Sequence, residues 1–360
     1  MGVSLGPVVE RTGAPDIARG PSVDARLTAL LLPGQGAQRE RMAGALYGEV
    51  PEFTAPMDSF FRALGAEGAR LRDEWLRPAP NPALDDALVA QPLLFAVGHA
   101  LGRWVAATAG GPQVLLGHSA GELAAACLAG VFSPEDGARL MAGRSAALTG
   151  GEAGGMLAVA GAPEGLRPLL RDDVAVAAFN GPRQTVLAGP AQPLAETARR
   201  LGDAGFTVRP LRSRHAFHSP VLASAADRFA RSLSSIGLCA PRTDLWSGRT
   251  ARRVGATEAV DPRFWADQLA LPVLYWPALR ALLDAEGTAP GLILLDASAD
   301  HSLTAPARRH PAVRSGASVV VPLLARPSGD GDDLSALARA REILSERARE
   351  AQAAASCAST

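Results

Sequence analysis

Residues 111–130 read GPQVLLGHSAGELAAACLAG, and the order of residue types in that stretch decides the fold. Val114–Leu116 is a short apolar run of the kind that forms a buried strand, and the alanine-rich segment from Ala120 is a strong helix former. Between them lies Gly117-His118-Ser119-Ala120-Gly121, a G-x-S-x-G pattern. Its glycines permit a tight strand-to-helix turn that lifts the serine oxygen above the sheet edge, with the first N–H groups of the helix aimed at it. Strand, elbow and helix in immediate succession predict an α/β fold with a parallel sheet and make Ser119 a candidate nucleophile. The plainer reading is a glycine elbow carrying a spectator serine.

Working outward, ARLTALLLPGQGAQ ahead of the elbow reads as a strand ending in a glycine turn, and QPLLFAVGHALGRWVAATAG as an apolar helix. After it, residues 155–212 alternate as strand, helix, strand, strand, helix, strand, the order of a ferredoxin-like unit. The expected organisation is a leader over 1–26, and a discontinuous α/β-hydrolase-like domain over 27–153 and 214–330. A ferredoxin-like subdomain is expected over 154–213, and a C-terminal helix and tail over 331–360. GLILLDAS and SVVVPLL read as later strands of the large domain, and FWADQLALPVLYWPALRALLDAEG as a loop running into a helix.

Composition narrows the chemistry. The chain has 360 residues, 48% hydrophobic and 20% charged, which suits a globular protein with a large core. Basic and acidic residues balance at 36 each, so no global field draws the protein to nucleic acid or an anionic membrane. Every basic residue is arginine, which removes Schiff-base, Ser-Lys and P-loop lysine chemistry and leaves an acyl-enzyme serine standing. Cys127, Cys239 and Cys357 lack metal-ligand or redox spacing and suggest a reducing, cytoplasmic setting. Residues 1–20 interrupt their apolar positions with Pro, Glu, Asp and Arg, so they carry neither a signal-peptide core nor a bilayer-length span.

A serine nucleophile needs a base. His99 lies in an apolar helix and His310 in an arginine-rich loop, where packing or solvent is the simpler role, and His118 is placed to brace the elbow. In RSRHAFHSPVL, His215 and His218 flank an apolar pair where the inserted module returns the chain to the large domain, so one of these two is the expected base.

LLPGQGAQ, QPLLFAVGHAL, GHSAGELAAACLAGVFSPEDGARLMAGRSAAL, FNGPRQTVLAGP, HAFHSPVL and FWADQLALPV occur in that order. Together they resemble the malonyl-CoA:acyl-carrier-protein transacylases and the acyltransferases of modular polyketide synthases, over Leu27 to about Ala340. The resemblance implies Ser119 as the nucleophile that carries the acyl ester and His218 as general base, oriented by the backbone carbonyl of Gln268 rather than by an aspartate. It implies an oxyanion hole from Gln35 and the Ala120 N–H, and Gln91 and His118 at the substrate pocket. Arg144 would hold the free carboxylate of a dicarboxylic acyl group in its planar fork. Phe217, inside a His-Ala-Phe-His tetrad of the malonyl type, would crowd a methyl branch, although one methyl is worth only ~1–3 kcal/mol of discrimination.

The implied reaction takes malonyl-CoA or a related thioester and an acyl carrier protein, and needs no metal or redox cofactor. Alternatives are transfer of an unusual acyl or aminoacyl group between carriers, an acyl-thioester editing hydrolase, or a non-catalytic scaffold. With no ketosynthase or carrier segment in the sequence, the expectation is a protein acting in trans unless it is an excised domain, and the resemblance implies a monomer. The arginine-rich RPLRSRH is a candidate docking site for an acidic carrier. The loop LLDASADHSLT, with Asp296, Asp300 and His301, and the leader are departures from the family pattern.

Overall fold

The computed structural model describes residues 26–151, 153–326 and 332–357, with side chains as far as residue 349, so the leader falls outside the described residues except at Arg26. Among the described residues nine strands form two sheets. The first contains β1 (Leu27–Leu32), β2 (Val114–Gly117), β7 (Asp244–Trp246), β8 (Leu292–Asp296) and β9 (Val319–Pro322) in the order β7-β2-β1-β8-β9. All four pairings are parallel, with Leu31 opposite Leu116 and Asp296. Every residue of β2 and β8 is buried, as expected for strands covered on both faces.

Parallel neighbours require long crossovers, and helices supply them. Between β1 and β2 run α1 (Pro51–Ala63), α2 (Ala66–Leu76) and α3 (Ala87–Ala109). Asp86 starts α3 by accepting from the Leu88 N–H, and Gly110, at φ +74°, ends it. α3 is apolar almost all round and is buried accordingly. The elbow helix α4 (Gly121–Leu128) follows β2, then α5 (Pro134–Leu148), whose cap Ser133 accepts from the Asp136 N–H.

The second sheet is antiparallel: β3 (Gly154–Val159), β4 (Ala175–Gly181), β5 (Gln184–Pro190) and β6 (Val208–Pro210), in the order β4-β5-β3-β6. With α6 (Pro163–Leu166) after β3 and α7 (Ala191–Asp203) after β5, this is the split βαβ arrangement. It has its own apolar cluster, including Leu157, Leu166, Leu187 and Leu201. Its β4 edge is bonded to the large domain, since Val273 N–H donates to the Ala177 carbonyl and Phe179 N–H to the Val273 carbonyl, both at 2.8 Å. We read it as the inserted subdomain.

The chain then returns through α8 (Ala223–Leu233), α9 (Ala256–Ala259), α10 (Pro262–Ala266), α11 (Tyr275–Glu286) and α12 (Pro311–Arg314). The segment expected as a loop before α11 holds α10 and a 3-10 turn over Asp267–Leu269. α13 (Asp333–Cys357) buries Leu337, Ala340 and Leu344. Among the described residues, no helix is long and apolar enough to cross a membrane.

Candidate active site

Ser119 stands between the last residue of β2 and the first turn of α4 with φ at +53°, a left-handed conformation that non-glycine residues hold only under strain. Glycines make room for it. A Cβ on Gly117 would overlap the Glu122 backbone, and one on Gly121 the Leu32 carbonyl. The Pro33–Gly36 turn after β1 packs against the elbow so closely that a Cβ on Gly34 would lie 2.5 Å from the His118 carbonyl oxygen and 3.0 Å from the Ser119 Cβ.

Of the two histidines left open by the sequence, His218 reaches the serine: its Nε2 is 2.8 Å from Ser119 Oγ. His215 is partly buried and set edge-on to Phe217, with ring centroids 5.4 Å apart. His218 also has a left-handed backbone, φ +63°, and its N–H donates to the Leu269 carbonyl at 2.8 Å. Its Nδ1 lies 3.1 Å from the Leu271 carbonyl oxygen. A carbonyl can only accept, so the proton sits on Nδ1 and the Nε2 lone pair is free to accept from Ser119. The Leu271 carbonyl therefore orients the base beside that of Gln268, the one the resemblance implies. The 3-10 turn over Asp267–Leu269 carries the chain on so that Leu271 presents the oxygen facing the ring, while the Gln268 side chain turns to Glu122.

Burial pushes His218 down to about 3, helped by the neighbouring His118 and the Arg144 cation, against which the Leu271 and Gln268 carbonyls pull it up. At neutral pH the imidazole is neutral, the form a base requires. His118 holds the elbow from the other side. Its Nε2–H donates to Asn180 Oδ1 on β4 at 2.8 Å, and its ring lies 5.3 Å from that of Tyr275.

Ala120 heads α4, and among the described residues its N–H has no backbone acceptor, unlike those of Gly121, Glu122 and Leu123, which return to the turn. Gln35 belongs to the turn packed on the elbow. Its Oε1 accepts from Gln91 Nε2 at 2.9 Å, and Gln91 Oε1 accepts from Arg144 Nε at 2.7 Å. These bonds fix both amide orientations and leave the Gln35 nitrogen as the free end of the chain.

Arg144, on α5, is fully buried. Its guanidinium carbon lies 5.6 Å from the centroid of the Phe229 ring, and burial lowers it to about 10. Both Nη1 and Nη2 are buried without a hydrogen-bond partner. A desolvated guanidinium with two unanswered nitrogens is costly unless an anion completes it. Phe217 is buried in the main apolar core beside the pair, its ring centroid 6.3 Å from that of His218.

Sequence reading missed Glu122, Asn180 and Leu271. Glu122 had a signal in its spacing, three residues after Ser119 and in the first turn of the helix that follows it. Leu271 had none, because any residue offers a carbonyl. Asp296, flagged in the departing loop, is fully buried and accepts from the backbone and hydroxyls of Ser298 and Thr304, which makes it a brace for its own turn.

Residues 30–343 match the family model described as "Acyl transferase domain". A phenolphthiocerol/phthiocerol polyketide synthase chain of Mycobacterium tuberculosis is 33% identical over 311 residues, 86% of this chain and 20% of that protein. The chain thus spans about a fifth of that relative. Among solved structures, the acyltransferase domain from the second module of the salinomycin polyketide synthase is 33% identical, with a TM-score of 0.76 over 87% of this chain and 72% of that one. The acyltransferase domain of SpnD in complex with 2-(pent-4-yn-1-yl)malonyl is 28% identical, with a TM-score of 0.82 over 93% and 80%.

Proposed function

We propose that this chain, which belongs to the acyl transferase domain family, moves a malonyl-type acyl group from CoA to the phosphopantetheine thiol of an acyl carrier protein by way of an ester on Ser119. The observation that carries the substrate class is the fully buried Arg144, both of whose Nη atoms lack partners in the same site as a serine–histidine pair 2.8 Å apart. The SpnD domain, solved as a complex with a substituted malonyl, supports a dicarboxylic acyl group here.

In the first half-reaction Ser119 Oγ adds to the thioester carbonyl carbon while its proton passes to His218 Nε2. The Leu271 carbonyl accepts from the Nδ1–H and steadies the imidazolium that forms. The oxyanion faces the Ala120 N–H and the Gln35 amide. Collapse breaks the carbon–sulfur bond, and the CoA sulfur leaves with the proton from His218. In the second half-reaction the carrier thiol gives its proton to the same Nε2 and adds to the ester carbonyl, and Ser119 Oγ leaves and takes that proton back. Buried Phe217 beside His218 favours malonyl over a methyl-branched acyl group. The setting is the cytoplasm.

Intact-mass measurement after incubation with malonyl-CoA tests this reading. A malonyl adduct is expected that disappears in Ser119→Ala and transfers to added carrier protein. Release as free malonate without transfer would make the protein a hydrolase, and no adduct with any acyl-CoA would refute the reading.

A further inference from the structure

The Ser119–His218 pair borders a small cleft with room for about one water molecule, lined also by Glu122, Arg249, Gln268 and residues 271–273. Glu122 lies in the first turn of α4 and is 3% exposed. A buried acid on the nucleophile's own helix calls for a reason, because an apolar residue of similar volume costs less to desolvate.

Its hydrogen bonds supply one. Glu122 Oε2 accepts from Gln268 Nε2 at 2.6 Å, and Oε1 from Ser247 Oγ at 3.3 Å. Gln268 sits in the turn that fixes the base at two points: the Leu269 carbonyl accepts the His218 backbone N–H, and the Leu271 carbonyl accepts the Nδ1–H. Leu271 N–H itself returns to the Asp267 carbonyl at 2.8 Å. Beyond the turn, Val273 is bonded to β4 and Leu274 N–H donates to the Gly248 carbonyl. One side-chain bond therefore joins the nucleophile's helix to the segment that sets the position and tautomer of the base. The charged and titratable groups facing Glu122 are Arg249 from the loop after β7, Arg144 from α5, and His218. Burial pushes the carboxyl up to about 7, while Arg249, the Gly248 N–H, Gln268 and Ser247 oppose the rise. In either protonation state one oxygen remains to accept from Gln268.

We infer that Glu122 is a positioning residue for the general base: acting through Gln268, it holds residues 267–271 so that the Leu271 carbonyl fixes the tautomer and angle of His218. This rests on the proposed acyl transfer at Ser119.

The test compares Glu122→Gln, Glu122→Leu, Gln268→Leu and the Leu–Leu double variant. It reads single-turnover acylation by malonyl-CoA across pH, and Ser119 labelling by a fluorophosphonate, which needs no particular acyl group. Glu122→Leu should slow acylation about 10- to 100-fold, within the ~10²–10⁴ that the base itself supplies, with half-saturation by malonyl-CoA changed less than about threefold. Its acid limb should move to lower pH, because the imidazolium loses support. Glu122→Gln retains an acceptor oxygen and should stay within about threefold of wild type. Gln268→Leu should match Glu122→Leu, and the double variant should fall no more than about threefold below the worse single, since both act through one bond.

Wild-type labelling rates in both leucine variants, an unmoved acid limb with only a scaled plateau, or losses that multiply in the double variant would each overturn the inference. Should Glu122→Leu fail to fold, Gln268→Leu and Glu122→Gln decide it. If the wild type labels with the fluorophosphonate but takes no acyl group, the transfer reading fails while the ranking of variants still judges Glu122.

Discussion

Replacing Arg144 by Met should separate recognition of the acyl carboxylate from the chemistry at Ser119. The guanidinium is fully buried, its Nε is committed to Gln91, and its two Nη atoms are unanswered, so an incoming carboxylate can gain two charge-assisted hydrogen bonds. Each is worth about 1.5–3 kcal/mol net of the water it replaces, so losing the pair costs about 3 kcal/mol at the lower bound. At 1.4 kcal/mol per tenfold, Arg144→Met should lower kcat/KM for malonyl-CoA about 100-fold. Acetyl-CoA has no carboxylate to lose, and its methyl group would meet a thioether instead of a desolvated cation, so acetyl transfer should hold or rise. Arg144→Lys retains the charge without the fork and should fall between the two. A fully buried cation with no carboxylate partner in the free protein is not a source of stability, so the Met variant should melt at or above the wild-type temperature. The assay is acylation of Ser119 by the two thioesters, read side by side with thermal unfolding. If malonyl and acetyl transfer fall in parallel, or the variant loses several degrees, Arg144 is a structural residue and the assigned substrate class fails.

His218→Ala should slow acylation by about 10²–10⁴ while the fold stays intact by circular dichroism; a smaller loss would mean that His218 is not the base. Because burial, His118 and Arg144 hold His218 down to about 3, the acid limb of kcat/KM should lie well below the ~6.5 of a free imidazole. Removing the cation in Arg144→Met should raise that limb, and a limb that stays put would contradict the field assigned to Arg144. His99 is buried in α3 and lowered to about 4 by burial first and Arg103 second. The unfolded chain therefore binds a proton at His99 below ~6.5 that the folded protein refuses. Stability should drop as pH falls from ~6.5 towards 4, by on the order of 3 kcal/mol, and His99→Gln should flatten that slope in urea titrations. Gly34→Ala would put a Cβ 2.5 Å from the His118 carbonyl oxygen. It should cut fluorophosphonate labelling of Ser119 at least about tenfold, and unchanged labelling would mean the turn does not bear on the elbow.

What could be read from the sequence follows from how local its cause is. The β2–elbow–α4 unit is visible because a buried strand, a glycine-flanked serine and an alanine-rich helix each leave a local signature. The inserted sheet is visible because its strands and helices alternate in a recognisable order. β7 is not, since Asp244-Leu245-Trp246 is three residues long and becomes a strand only by pairing with Val114–Leu116. α1 and α2 also escaped notice, since their apolar faces mean something only against α3. At the site, Ser119 and the His215/His218 choice come from residue chemistry, and Gln35, Gln91 and Arg144 from the resemblance; the structure joins Ser119 to His218 and Arg144 through Gln91 to Gln35. The share of the Leu271 carbonyl in orienting the base was not legible, because a backbone acceptor has no residue type to betray it.

Among the described residues no acid bonds to His218 Nδ1, which fits the proposed dicarboxylic acyl group. An aspartate bonded to Nδ1 would raise the imidazole towards protonation and would set a full negative charge near the space that the acyl carboxylate must enter, where it would compete for Arg144. A carbonyl at Leu271 fixes the same tautomer with a partial charge only. The one acid bordering the pair, Glu122, is pushed up to about 7 by burial and accepts from Gln268 and Ser247, so near neutrality much of its charge is withheld. Among the described residues Arg144 thereby has no full counter-ion, and the hydrogen-bonded chain Arg144–Gln91–Gln35 links its guanidinium to the turn beside Ala120. On the proposed reading, an acyl group whose carboxylate completes the guanidinium would be held at one end of this chain with its thioester oxygen at the other, so the residues that select a diacid would also set the distance at which Ser119 attacks.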